Sequence, residues 1–446
     1  MHNGEAIVTL KKGEGRTIKS GGAWIYDNEI ESIMGDFEPG DIVVVHDFDG
    51  YQMGRGFINP NSKIRVRMLT RDPNQNIDGM FIRERVKAAW DYRKVVMENL
   101  DCCRVIFGEA DWIPGLVVDK YADVLVVESL SLGIDKLKLT ILRELVEIME
   151  SDGYPITAIF ERSDAPVRKK EGLLPYKGLI PRKLDGSIAG ENEKNRVTEP
   201  IEIIENNVRY KIDVVNGQKT GFFLDQKNNR MAMQKITAGV VRNRLLNGDV
   251  SEPVRILDCF THMGTFALNC GRAAADTMRS VSEDGNSQKI DIEVTGLDIS
   301  EFAVGQATNN SKLNGLSEIV KFRAANVLDE LPRLYAEENK YDVLILDPPA
   351  FTKSREATKN AIKGYREINM KGLKLVKDGG YFATCSCSHF MTQELFTQVI
   401  SQAAKAVHKR IRQIEFRTQA PDHPILWAAD ESYYLKFFIF QVVDEK

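Results

Sequence analysis

The sequence predicts an α/β protein. Its C-terminal half reads as a doubly wound parallel sheet, preceded by a small β-rich barrel and an α+β middle domain. Three observations carry this. From Val254 onward, apolar strand-like runs alternate with helical patterns, the mark of successive βαβ units. The first 70 or so residues instead hold short strand-like runs divided by turn residues. Between them the apolar period changes from helical to alternating and back.

Composition narrows the function classes. The chain has 446 residues, with 60 Lys+Arg against 64 Asp+Glu, for a formal net charge of -4. At about 150 residues per domain that suggests about three domains. The near balance excludes a bulk polycation, so any nucleic-acid surface must be a local patch. No apolar run approaches the roughly 20 residues that span a bilayer. The start, MHNGEAIVTLKKGEG, lacks the pattern of a secretory signal. The 6 Cys match no zinc spacing and form no disulfide framework. A cytoplasmic protein with free thiols and no metal is expected.

In the N-terminal part, residues 41–45 (DIVVV) and 64–69 (IRVRML) are strand-like. Turn signals fall at Pro39-Gly40, Asp49-Gly50 and Asn59-Pro60. Residues 80–98 repeat apolar side chains at helical spacing, residues 115–119 and 124–128 form a hairpin pattern, residues 141–149 read as a helix and 156–160 as a strand. The polar stretch 181–200 reads as a loop or linker. In the C-terminal part the expected strands are 254–260, 292–298, 320–324, 341–346 and 381–386, and 433–442 is a further strand candidate. The polar run 280–288 reads as a surface insertion. Domain boundaries are placed at 1–74, 75–195 and 196–446.

Doubly wound sheets bind ligands beyond the carboxyl ends of their strands. Five motifs fall at such ends. Asp258-Cys-Phe260-Thr261-His-Met-Gly264 closes the first strand and opens a helix. Gly264 would let backbone approach a ligand, though a tight turn with a capping Asp gives the same pattern. The pattern is not the dinucleotide glycine fingerprint. Asp298 closes the second strand. There it could accept from the ribose hydroxyls of an adenosine cofactor, or cap the next helix. Asn326 follows the third strand and could meet an adenine edge or serve a turn. Asp347-Pro348-Pro349-Ala-Phe351 follows the fourth; the prolines fix the exit, and Phe351 could stack on a base lifted from its helix. Cys385-Ser-Cys387-Ser-His389 follows the fifth. Cys387, the later thiol, is better placed as a nucleophile, and Cys385 reads as a small apolar packer. Upstream, a sixth motif, residues 219–230, holds Phe223, Asp225, Gln226 and Arg230. It fits a cofactor lid, or a hairpin and capped helix with aromatics in the core.

With these residues in hand, the chain resembles class I methyltransferases of the RlmI type. These use S-adenosylmethionine to methylate carbon 5 of cytosine in 23S ribosomal RNA. The motifs TGFFLDQ, DCFTHMGTF, GLDIS, DPPAF and SCS occur in that order. The resemblance extends over nearly the whole chain. It implies an N-terminal PUA domain that contacts RNA, a middle domain and a Rossmann-like methyltransferase domain. It places Asp258, Gly264, Asp298, Asn326 and Asp347 around the cofactor, with Cys387 as nucleophile and Asp347 beside it. The wider set of cofactor contacts adds Phe223, Asp225, Gln226, Arg230, Phe260, Thr261 and Pro348. Expected RNA contacts are Pro349, Phe351, Trp24, Arg65 and Arg67. Three positions depart from the family pattern: Asn326 stands where Asp is usual, Cys385 where the residue is often apolar, and the polar run lies near Glu283.

The implied chemistry is addition of the Cys387 thiolate to cytosine carbon 6, which makes carbon 5 nucleophilic. The alternatives are an amine methyltransferase acting on guanine or adenine without a covalent step, a small-molecule methyltransferase, and a noncatalytic RNA-binding module. Lys11, Lys12, Arg16, Lys19, Arg65 and Arg67 beside Trp24 and Tyr26 favour RNA over a small molecule. The last strand candidate would allow a homodimer seam if it lay at a sheet edge.

Overall fold

The computed structural model describes residues 5–182, 190–283, 289–352, 354 and 356–445. They form two compact units. The first comprises residues 1–203, 212–225 and 421–432; the second comprises 204–211, 226–420 and 433–446.

The first unit holds two sheets. A six-stranded sheet runs in the order Trp24–Tyr26, Ile64–Thr70, Gln52–Ile58, Ile42–His46, Ile7–Leu10, Ile30–Met34. Val8, Leu10, Ile25, Val43, Val45, Ile58 and Val66 fill its core. A five-stranded sheet follows, in the order Tyr176–Ile180, Ala158–Ser163, Val124–Ser129, Leu116–Tyr121, Cys102–Phe107. Helices Gly79–Val96 and Leu132–Ser151 cover it, each burying one apolar stripe. Residues 421–432 return to this unit late in the chain: Asp422 accepts from the Arg104 backbone N–H at 3.0 Å and its carbonyl from Arg93 at 2.9 Å. The expected loop 181–200 contains helix Glu191–Thr198; residues 183–189 lie outside the described part.

The second unit is built on seven strands: β1 Val254–Cys259, β2 Ile292–Asp298, β3 Val320–Ala324, β4 Tyr341–Leu346, β5 Val376–Ser386, β6 Lys409–Arg417 and β7 Lys436–Asp444. Their order is β3-β2-β1-β4-β5-β7-β6. The first five are parallel, and β7 pairs antiparallel to both β5 and β6. The sheet is therefore mixed rather than wholly parallel. β4 (YDVLIL) is buried along its whole length, as a strand covered on both faces must be. The helices are α1 Lys227–Leu246, α2 Thr265–Glu283, α3 Glu301–Leu313, α4 Val327–Ala336, α5 Thr358–Leu375 and α6 Gln393–Ala406. Residues 280–283 of the expected insertion are the last turn of α2, and 284–288 lie outside the described part. The last strand candidate becomes β7, an interior strand. Its ladder groups are taken on both sides, so it offers no edge for a dimer seam.

Candidate active site

The reversal of strand order places the ends of β1 and β4 side by side, with β2 and β5 flanking them. The loop leaving β1 is held in an uncommon backbone. Phe260, His262 and Gly264 have φ of 65°, 51° and 85°. Two such non-glycine residues in three positions cost roughly 1–3 kcal/mol each unless neighbours enforce them. The neighbours do. The Thr261 N–H donates to the Leu297 carbonyl at 2.9 Å, and the His262 N–H to Asp298 Oδ2 at 2.9 Å. Asp298 Oδ1 accepts from the Ser300 N–H at 2.9 Å. The helix cap at α3 is Ser300, not Asp298.

Asp258 is fully buried. Its Oδ2 accepts from Thr261 Oγ1 at 2.5 Å and from the Ala267 N–H at 2.9 Å, so it ties β1 to the start of α2. Burial, with the charges of Asp347 and Asp298 adding to it, raises its carboxyl from the ordinary 3.8 to about 7. Its Oδ1 has no hydrogen-bond partner among the described residues. Gly264 serves packing as well as backbone shape. A Cβ there would lie 2.6 Å from Cζ of Phe322, and one on Gly296 would lie 2.4 Å from Cδ1 of the same ring. The Phe322 side chain thus occupies space that both glycines leave. Gly264→Ala is expected to cost about 2–4 kcal/mol, from a left-handed φ and a forced overlap. The thermal midpoint should fall by roughly 5–10 °C. An unchanged midpoint would remove this account of the glycine.

At the ends of β4 and β5 a second cluster forms. The Cys385 thiol donates to Asp347 Oδ1 at 2.7 Å. Gln226 Nε2 donates to the same oxygen at 3.2 Å and to Cys385 Sγ at 3.5 Å. Burial and the Asp347 charge push the Cys385 thiol well above its usual range. Cys385 is therefore not the plain apolar packer expected; it is a protonated donor to Asp347. Cys387 is only partly buried, and of the two it is the thiol a substrate can approach. The turn that carries it is braced from α5: Ser386 Oγ donates to the Tyr365 hydroxyl at 3.0 Å, and that hydroxyl lies 3.2 Å from Ser388 Oγ.

Other expected contacts are placed differently. Arg230 is buried and paired to Glu205, at the end of strand Ile201–Glu205, through two bonds of 2.6 and 2.8 Å that commit its guanidinium. Arg67 is not a surface cation; it is buried in a bidentate pair with Glu171, both bonds 2.9 Å. Arg65 is partly buried and donates to the Asn59 carbonyl at 3.3 Å. The Trp24 indole N–H donates to Glu109 Oε1 at 2.8 Å. Phe351 packs on Tyr365 with ring centroids 4.6 Å apart. Asn326 is exposed and caps α4, accepting from the Leu328 N–H at 3.1 Å. Pro348 is buried and Pro349 exposed. Phe223 and Asp225 belong to the first unit, where the Lys219 ammonium lies 4.3 Å above the Phe223 ring and 3.4 Å from Asp225 Oδ2.

Three carboxylates, Asp298, Asp258 and Asp347, thus stand at the C-terminal ends of the adjacent strands β2, β1 and β4. The carboxyl of Asp258 is raised chiefly by burial, with the charges of Asp347 and Asp298 adding to it. Such a set favours a ligand that carries positive charge. Gln226 is the contact that sequence patterns left vague: its link to Asp347 spans 121 residues of chain.

Comparison with known proteins bears on this arrangement. Residues 8–71 match the model of a PUA-like domain, and residues 254–437 match that of a methyltransferase domain. The ribosomal RNA large subunit methyltransferase I of Shewanella frigidimarina (strain NCIMB 400) is 35% identical over 440 residues, 98% of this chain and 99% of that protein. Its counterpart in Aeromonas salmonicida (strain A449) is 34% identical over 433 residues, 96% and 98%. The crystal structure of SMU.776 complexed with SAH superposes with a TM-score of 0.70 at 16% identity, covering 98% of this chain and 99% of that one, which shows a shared fold. A chain from Streptococcus mutans superposes equally well.

Proposed function

The chain belongs to the ribosomal RNA large subunit methyltransferase I family, and on that premise we propose that it methylates carbon 5 of a cytosine in 23S ribosomal RNA. The observation that carries the carbon-5 reading is the pair of thiols at the end of β5. One is buried, protonated and bonded to Asp347, and the other is accessible on the turn that follows. An amine methyltransferase needs no accessible thiol there.

S-adenosylmethionine supplies an electrophilic methyl group on a cationic sulfur. The residues at the strand ends suit it. Asp298, ending β2, supports the role of ribose acceptor, and the carboxylates of Asp258 and Asp347 would provide the negative surroundings a sulfonium and an ammonium require. Cys387, as thiolate, adds to carbon 6 of a cytosine lifted out of its stack, which leaves carbon 5 electron-rich. Asp347, held by Gln226 and Cys385, bonds the ring edge and fixes its angle. Once carbon 5 carries the methyl group, a base takes its proton, the 5,6 double bond re-forms, the carbon 6–sulfur bond breaks and Cys387 leaves as thiolate. Lys11, Lys12, Arg16 and Lys19 on the N-terminal domain contribute contacts to RNA phosphates.

Mapping methylated nucleotides in 23S RNA with and without the protein tests this reading. A single 5-methylcytosine that depends on the protein is the expected result; a methylated purine amine in its place would overturn it. A second test concerns the carboxylates. A cation brought beside Asp258 lowers its raised pKa and drives its proton off. Calorimetry at pH 7 in buffers of different ionisation enthalpy should show release of up to about half a proton with S-adenosylmethionine. With S-adenosylhomocysteine, whose sulfur is neutral, the release should be smaller. Equal release by both would separate Asp258 from the cationic sulfur.

A further inference from the structure

We propose that Lys436 is the positioning residue of the Cys387 nucleophile, and that its buried ammonium both fixes the turn that carries the thiol and favours the thiolate. This rests on the reading of Cys387 as the nucleophile.

Lys436 opens β7, directly opposite Ser386 in the ladder with β5. Lys436 is 1% exposed and, among the described residues, pairs with no carboxylate, a rare combination for a lysine. The ammonium donates instead to two carbonyls, Ser388 at 2.6 Å and Tyr434 at 2.8 Å. Ser388 follows Cys387, so the ammonium clamps the same turn that the Tyr365 hydroxyl braces through Ser386 and Ser388. Removing this group from water lowers its pKa from 10.5 to about 8, and the two groups that hold it up are the thiolate charges of Cys387 and Cys385. Cys385 is the protonated donor to Asp347, which leaves Cys387 as the partner whose ionisation matters.

Other titratable groups face the pair. From β7 and the segment before it, the Tyr433 ring lies 5.7 Å from the ammonium. From α5 comes Tyr365, raised to about 12 by burial and therefore neutral. From α6, Glu394 acts on Tyr433, and His389 Nδ1 lies 3.4 Å from the Tyr433 carbonyl. Asp347 reaches the cluster through Cys385. Lys436 brings a positive charge to bear on Cys387. The ammonium is bonded to the carbonyl of the residue after Cys387, so when Cys387 loses its proton to solvent the anion is favoured by that charge, and the two groups titrate as a coupled pair.

The test is the pH dependence of Cys387 alkylation by iodoacetamide on the full chain, read by mass spectrometry of the Cys387 peptide. In Lys436→Met the midpoint should rise by about one unit, a roughly tenfold slower reaction at pH 7. Lys436→Arg should restore most of the shift. A folded Lys436→Met protein, with unchanged affinity for S-adenosylhomocysteine and a wild-type midpoint, would overturn the proposal. If Lys436→Met does not fold, the reciprocal measurement decides. The Lys436 Cε resonance, followed by NMR in Cys387→Ala, should titrate at lower pH than in wild type, and an unmoved titration would overturn the proposal. Failure of the underlying reading looks different: methylation would survive Cys387→Ala whatever Lys436 does.

Discussion

Replacing Cys387 by alanine is expected to abolish methyl transfer, by at least about 10³-fold in kcat, as loss of a covalent nucleophile does. Affinity for the methyl donor should stay within a factor of about three, because the carboxylates at the ends of β1, β2 and β4 do not depend on this side chain. Stability should hardly change. Cys387 is partly exposed, and the brace on its turn comes from Ser386 and Ser388 to Tyr365 and from Ser388 to Lys436. The same change at Cys385 should behave in the opposite way. That thiol is buried and donates to Asp347, so Cys385→Ala removes one donor from an oxygen that Gln226 also bonds, at a cost of about 1–3 kcal/mol, while the nucleophile remains. Single-turnover assays and thermal melts on both variants check the pair. Activity lost in Cys385→Ala but kept in Cys387→Ala would reverse the assignment.

Asp347→Asn carries the second large effect. The amide keeps the size of the side chain and still accepts from Gln226 and Cys385, but the charge is gone. If Asp347 holds the reacting ring, kcat/KM should drop by roughly 10²–10⁴ with the melting temperature little changed. A variant within a factor of three of wild type would show that Asp347 only supports the thiol above it. The purine-amine alternative also needs Asp347 but is indifferent to Cys387, so the two substitutions together separate the chemistries.

Much of the catalytic sheet was legible because its central parallel strands are buried apolar runs, and the mostly exposed edge strand 320–324 follows from the alternation with helices. Residues 292–298, 320–324 and 341–346 begin and end where the pattern places them. β6 (KRIRQIEFR) was not foreseen: it is the other edge strand, its outward positions are charged, and it lacks the apolar run. The excursion 421–432, which interrupts the approach to β7, carries no periodic signal at all. The site was legible as a set of strand ends, since Asp258, Asp298 and Asp347 each close an apolar run. Individual roles were less so. Arg67 and Arg230 read as free cations because their partners, Glu171 and Glu205, lie 104 and 25 residues away. Gly264 read as an opening for a ligand because the ring that needs its space, Phe322, belongs to another strand. The pairing of Cys385 with Asp347 was hidden for the same reason, as was Lys436; Gln226 was expected at the cofactor, but its bond to Asp347 was not foreseen.

The account turns on a sulfur–carbon bond between Cys387 and the target base. The most direct measurement incubates the full chain with 23S RNA containing 5-fluorocytosine and S-adenosylmethionine, then seeks the adduct by denaturing gel and peptide mass. Fluorine at carbon 5 blocks proton loss, so Cys387 cannot leave. A stable RNA–protein species mapping to the Cys387 peptide, absent from Cys387→Ala, is the predicted result. Full methylation of unsubstituted RNA together with no trapped species would contradict it.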